Sequence, residues 1–173
     1  MVWWMWLVWL IVLTFGFVVF RGAPYVPSRR RYIHEAFSKL YPLTKNDVLI
    51  DIGSGDGIVL RLASEFGARA IGYELNPILV IISRFMSRRD KNVSVNLADF
   101  WLAPLPTDTT VVYAFIVTRD VKKFVKKMER EVARLGHPLY VVLYGNKLPG
   151  RTADKSLGGY RLYTFSPLQI DKP

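Results

Sequence analysis

Residues 49–57 read LIDIGSGDG, an apolar run that closes on an acidic residue and then turns through three glycines spaced two apart. A short unbroken run such as VLIDI (48–52) fits a strand buried on both faces of a parallel sheet. Glycines alternating with small polar residues fit a chain that turns tightly around something. Outward from this stretch, strands and helix-length segments alternate. GIVLRLASEFG (57–67) puts Val59, Leu62, Ala63 and Phe66 on one helical face, with Gly67 suited to follow the helix end. RAIGYE (69–74) is a second strand, and Asn76 can cap and Pro77 open a helix over 76–91. VSVNLAD (93–99) and TVVYAFIV (110–117) follow as strands three and four. In 120–136 the apolar stripe Val121, Phe124, Val125, Met128, Val132 and Leu135 marks an amphipathic helix, whose lysines are expected on its solvated face. PLYVVLYG (138–145) is a fifth strand, 146–159 a polar loop, and YRLYTFS (160–166) a sixth and last strand. Upstream, RYIHEAFSKLY (31–41) aligns Ile33, Phe37 and Leu40 on a helix face, with Ala36 beside them.

This alternation predicts an α/β fold, an open doubly wound Rossmann-like sheet of about six strands. In such sheets ligands bind beyond the carboxyl ends of the strands, close to where the strand order reverses. The glycine loop occupies the end of the first strand.

Two common occupants of such a loop do not fit. A dinucleotide loop wants G-x-G-x-x-G, but Gly53, Gly55 and Gly57 are followed by Ile58 where the third pattern glycine belongs. No Gly-Lys-Ser/Thr follows, which removes a P-loop. Charge separates the remaining possibilities. A pyrophosphate is drawn to free N–H groups at a helix N-terminus, whereas Asp51 and Asp56 bracket that place and would repel it. S-adenosylmethionine carries a sulfonium and an ammonium group and no phosphate, and suits carboxylates. Glu74, at the end of the second strand, can accept both ribose hydroxyls. Asp99, after the third, can accept from the adenine amino group, with Leu75 and Phe100 sandwiching the purine. Asp51, Gly53, Ser54, Gly55, Asp56, Gly57, Glu74, Leu75, Asp99 and Phe100 thus form the expected cofactor set.

Residues 2–20 contain no charge and as a helix would span roughly 28 Å, close to the thickness of a bilayer's hydrocarbon core. Trp3, Trp4, Trp6 and Trp9 suit the headgroup level, and Arg21, Arg29, Arg30 and Arg31 follow on one side only. The expectation is an uncleaved single-pass anchor over 1–21 that contacts the bilayer through 2–20. A stiff connector and first helix over 22–46 and a cofactor-binding domain over 47–173, on the cytoplasmic side, complete the organisation. The net charge of +10 fits solvated helix faces or an anionic leaflet. Without an aromatic-interleaved basic stripe, no nucleic acid is expected. The absence of cysteine excludes disulfides and thiol chemistry, and two distant histidines, His34 and His137, argue against a metal site.

The segments PYVPS (24–28), DIGSGDG (51–57), GYELNP (72–77) and DFW (99–101), behind a hydrophobic N-terminal segment, resemble the class I methyltransferases. More narrowly they are similar to the membrane-anchored protein-lysine methyltransferases of the adenine nucleotide translocase and ATP synthase c-subunit type and their prokaryotic relatives. The resemblance implies a methyltransferase sheet whose last strand is antiparallel. It implies S-adenosylmethionine held by Asp51, Gly53, Gly55, Glu74 and Asp99, and a lysine acceptor on a membrane or membrane-associated protein. Tyr113 and Thr118, toward the end of the fourth strand, are the candidate catalytic residues, and Tyr25 and Ser28 a candidate lid. Ile58, Leu102 and the segment VTRD (117–120) depart from the family pattern. A lipid or small-molecule acceptor, a non-catalytic adaptor, or RNA methylation, which a membrane tether disfavours and a basic groove at the pocket mouth would favour, are the alternatives.

Overall fold

The computed structural model describes residues 2–6, 8–9 and 29–167. The expected lid residues Tyr25 and Ser28 lie outside them, as does the expected anchor except for 2–6 and 8–9. Among the described residues no helix is long and apolar enough to cross a membrane.

Seven strands form one sheet in the order β3-β2-β1-β4-β5-β7-β6. They are β1 (Val48–Ile52), β2 (Arg69–Glu74), β3 (Val93–Leu97), β4 (Val111–Phe115), β5 (Leu139–Tyr144), β6 (Lys155–Leu157) and β7 (Tyr160–Phe165). The first five are parallel, and β7 runs antiparallel to β5. The seventh strand corrects the expected six. Lys155–Leu157 is three residues without apolar alternation, and it pairs only because β7 folds back on it after the Gly158–Gly159 turn. Its shortness and its lysine suit an edge that must not recruit another chain.

Helices α1 (Arg30–Glu35, continuing as a π-helical turn over Ala36–Leu40) and α2 (Ile58–Glu65) pack on one face of the sheet. There Ile33, Phe37, Leu40, Leu60 and Leu62 meet Leu49, Val111 and Tyr113. α3 (Pro77–Met86) joins that layer through Val80, and α4 (Val121–Leu135) covers the opposite face with Phe124, Met128 and Val132. No helix bridges β3 and β4, all of whose connecting residues are described. The loop between them presses Phe100 and Leu105 onto the sheet beside α4.

That loop changes the expected polarity of α4. Lys127 is 5 % exposed, not solvated. Its Nζ donates to the Ala103 carbonyl at 2.8 Å and to Glu131 at 3.3 Å, and lies 5.0 Å from the centre of the Phe100 ring. Burial pushes the Glu131 carboxyl up, but Arg134, the Leu105 N–H and Lys127 outweigh it and hold the group below its ordinary value. Lys127→Met is therefore expected to destabilise the fold by about 1–2 kcal/mol, because the Ala103 carbonyl and one Glu131 oxygen lose their donor while Arg134 still serves the other. Urea denaturation measures it; an unchanged midpoint would show that the pair contributes nothing net.

Candidate functional site

The strand order reverses between β1 and β4, and the chain leaves β1 there through Gly53–Gly57. Gly53, Gly55 and Gly57 all take positive φ (70°, 55° and 80°), a region that side chains other than glycine enter with strain. Alternate glycines thus let the loop curl back over the end of β2. The Gly53 N–H donates to the Tyr73 carbonyl at 2.8 Å, and the Gly55 N–H to Glu74 Oε2 at 2.9 Å. The other Glu74 oxygen accepts from the Asn76 N–H at 2.8 Å. Glu74 is buried and clamped by two backbone amides, and each carboxylate oxygen keeps a further acceptor site.

Asp51 is 3 % exposed and its Oδ2 has no hydrogen-bond partner. In register it lies between Gly72 of β2 and Tyr113 of β4. Burial above all, then the charges of Glu74 and Asp56, push its carboxyl well above the ordinary carboxylate range. A buried acid with an unsatisfied oxygen and two acidic neighbours is a costly arrangement for a structure to keep. A cationic ligand beside it would remove that cost. The donor set therefore fits S-adenosylmethionine by charge.

Other expected residues take different stations. Asp56 is partly engaged in the fold: Oδ1 accepts from the Ile58 N–H at 3.2 Å, and Arg61 pairs with Oδ2 at 3.4 Å. Ser54 is buried beneath the loop, its Oγ lying 2.4 Å from where a side chain on Gly72 would begin. It supports the loop from below. The carboxylate of Asp99 accepts from the Trp101 N–H at 2.9 Å and shapes the turn after β3. Leu75 is half-buried beside Glu74.

Phe100, expected to sandwich the purine with Leu75, lies against the sheet. It is 4 % exposed and turned into the core, with ring centres 5.2 Å from Trp101 and 6.3 Å from Phe124. With no helix in the β3–β4 crossover, this aromatic must cover the sheet. Tyr113 likewise sits in the middle of β4 rather than at its end, packed against Phe37 and Tyr160. Thr118 is exposed past the carboxyl end of β4, its Oγ1 3.4 Å from Asn146 Oδ1. Asn146 joins the ends of β4 and β5 by donating to the Ile116 carbonyl at 2.7 Å. Neither Asn146 nor Arg61 carries a sequence motif that singles it out.

The family described as "Methyltransferase domain" matches residues 25–137. The human lysine N-methyltransferase of the ATP synthase c-subunit is 34 % identical over 112 residues, 63 % of this chain and 47 % of that protein. The mouse adenine nucleotide translocase lysine N-methyltransferase is 31 % identical over 132 residues, 72 % of this chain and 56 % of that protein. The chain thus spans about half the length of the curated relatives it matches. An RNA methyltransferase from Salinibacter ruber, solved with S-adenosyl-L-homocysteine, shares the fold with a TM-score of 0.72 at 24 % identity, over 86 % of this chain and 98 % of that one. A glycine loop at the sheet's reversal point, an acid buried at the end of β1 and a clamped acid at the end of β2 agree with the family match: this chain belongs to the methyltransferase-domain family.

Proposed function

We propose that this chain transfers a methyl group from S-adenosylmethionine to a lysine side chain of a membrane or membrane-associated protein. The observation that carries the cofactor reading is Asp51, buried, acidic and unsatisfied at the floor of the glycine loop. Similarity to two protein-lysine methyltransferases supports the acceptor. The uncharged segment 2–20, as an anchor with the domain on the cytoplasmic side, would confine the enzyme with such acceptors and raise their effective concentration.

When bound, the cofactor would supply a sulfonium methyl group open to in-line attack by a neutral lysine amine, the N–C bond forming as the C–S bond breaks to give a neutral thioether and a protonated methylamine. The chain's own residues align and dehydrate. Glu74, already fixed by the Gly55 and Asn76 amides, is placed to accept from ribose hydroxyls without losing side-chain freedom on binding. Asp51 balances positive charge, Asp99 offers an acceptor to the adenine amino group, and Leu75 offers apolar contact. Thr118 at the rim is better placed to meet an acceptor than the packed Tyr113. Desolvation of the acceptor amine lowers its pKa and favours the nucleophilic form.

A second reading is an RNA acceptor, and one observation favours it. Arg119, Lys122, Lys123, Lys126 and Arg130, with Glu129 as the one acid among them, line a mainly basic groove along the outer face of α4, which begins near the carboxyl end of β4. Lys123 also lies over the Trp101 ring, 4.2 Å from its centre. Incubation of the full chain with methyl-tritiated S-adenosylmethionine, cell membranes and total RNA separates the two. Label in lysines of membrane protein, absent with Glu74→Ala, is the expected result. Label only in RNA or only in the lipid fraction would replace the lysine reading, and cofactor binding without transfer to protein, RNA or lipid would leave an adaptor.

A further inference from the structure

Helix α3 is apolar on the wrong side. Ile78, Ile81, Ile82, Phe85 and Met86 recur at i, i+3, i+4, i+7 and i+8, the spacing of a helix's core stripe, yet they face solvent. Ile81 and Phe85 are 67 % and 66 % exposed. The inward stripe is Val80, Ser83 and Ser87, and the two buried hydroxyls have no hydrogen-bond partner. A helix that turns hydroxyls to the core and five large apolar side chains to solvent is arranged for a second apolar medium.

Charge indicates which medium. α3 contains no acidic residue, Arg84 stands in its last turn, and Arg88, Arg89 and Lys91 follow just beyond it with one acid, Asp90, which accepts from Ser64 Oγ at 2.8 Å. The Arg88 guanidinium lies 4.4 Å above the centre of the Phe85 ring, and the Arg84 Nε donates to the Val95 carbonyl at 2.9 Å. An apolar stripe flanked by arginines is the pattern of a helix lying in a lipid interface, apolar face in the acyl boundary and guanidinium groups among phosphates. The chain's uncharged 2–20 segment is a second feature suited to lipid.

We infer that the outer face of α3 is a monotopic membrane contact that binds the headgroup–acyl boundary of an anionic bilayer. The contact starts at the cofactor cradle, because α3 begins one residue after Asn76, whose N–H holds Glu74. It therefore sets the rim of that cradle at the membrane surface.

The chain contains no cysteine, so a single introduced one carries a label uniquely. Ile81→Cys on α3 and Lys126→Cys on the exposed face of α4 are each labelled with an environment-sensitive nitrobenzoxadiazole dye. The full chain is then reconstituted in phosphatidylglycerol/phosphatidylcholine nanodiscs with doxyl-labelled lipids. The label at 81 is expected to be quenched at least about twofold more than that at 126, and less so in phosphatidylcholine alone. Equal quenching at both positions overturns the inference, since the domain would then have no preferred face. An unquenched label at 81 that responds to protein concentration overturns it in favour of a second copy, and one that responds to nothing in favour of an uncovered helix. The readout involves no methyl transfer, so it stands or falls separately from the proposed activity.

Discussion

Asp51→Asn is expected to weaken S-adenosylmethionine binding about 100-fold, or ~2.7 kcal/mol, while making the ligand-free protein more stable. Both effects come from one carboxyl group. Asparagine is nearly isosteric but cannot balance a cation, so binding is lost without a cavity. In the folded chain burial, Glu74 and Asp56 raise the Asp51 pKa well above its ordinary 3.8. The folded state therefore holds a proton that the unfolded state releases. With more protons bound to the folded form, stability falls as pH rises above about 4 toward the folded pKa. Asparagine removes that penalty, so the melting temperatures of the two proteins should coincide near pH 4 and separate in the variant's favour toward neutrality. Cofactor binding should expel the proton from the wild-type carboxyl, so affinity rises with pH across the same window. Calorimetry in two buffers of different ionisation enthalpy reads that release. A variant less stable than wild type at every pH would show that Asp51 is a structural acid and not a ligand.

Gly57→Ala should produce the second large effect, on folding. Its φ of 80° is strained for alanine, and the added carbon would fall 2.1 Å from Ser83 Oγ on α3 and 3.2 Å from an Arg61 nitrogen. Strain of about 1–2 kcal/mol and overpacking of about 1–3 kcal/mol add to an expected loss of about 2–5 kcal/mol. Ser83→Ala alone should be close to neutral, because it deletes a buried hydroxyl that has no partner. In the double variant the clash with the Ser83 hydroxyl is gone and mainly the backbone strain remains. Chemical denaturation of the four proteins therefore yields a coupling near the overpacking component. Additive losses would mean that α3 shifts away freely and that the close approach has no cost.

The legible parts of this protein are those encoded locally. VLIDI, RAIGYE and TVVYAFIV are short, mainly apolar runs, and β1, β2 and β4 stand where they lie. The glycines of 53–57 announce a positive-φ turn, and all three adopt it. Asn76 and Pro77 begin α3 as cap and first turn, with Asn76 Oδ1 accepting from the Ile78 N–H at 2.9 Å. Each of these depends on a backbone preference or a period within a few residues.

Elsewhere neighbours decided. Lys155–Leu157 has no pattern of its own, and β6 exists because Tyr160–Leu162 of β7 offers it a partner and a register. Phe100 reads equally well as a ligand platform or as core, and the missing crossover helix makes it core. Lys127 reads as one more solvated lysine, but the 98–106 loop closes over it and supplies the Ala103 carbonyl.

Local propensity and spacing are enough to fix the alternation of strand and helix, the turn of the glycine loop and the acids at the ends of β1 and β2. They leave open which groups are buried and with whom, and the assembled chain settled that. It isolated an Asp51 oxygen without a partner, clamped Glu74 between two amides, drew Lys127 inside and left the apolar face of α3 outside. Burial and pairing are properties of neighbours brought together from distant parts of the chain, and the energy of a charge or an apolar face is set by them.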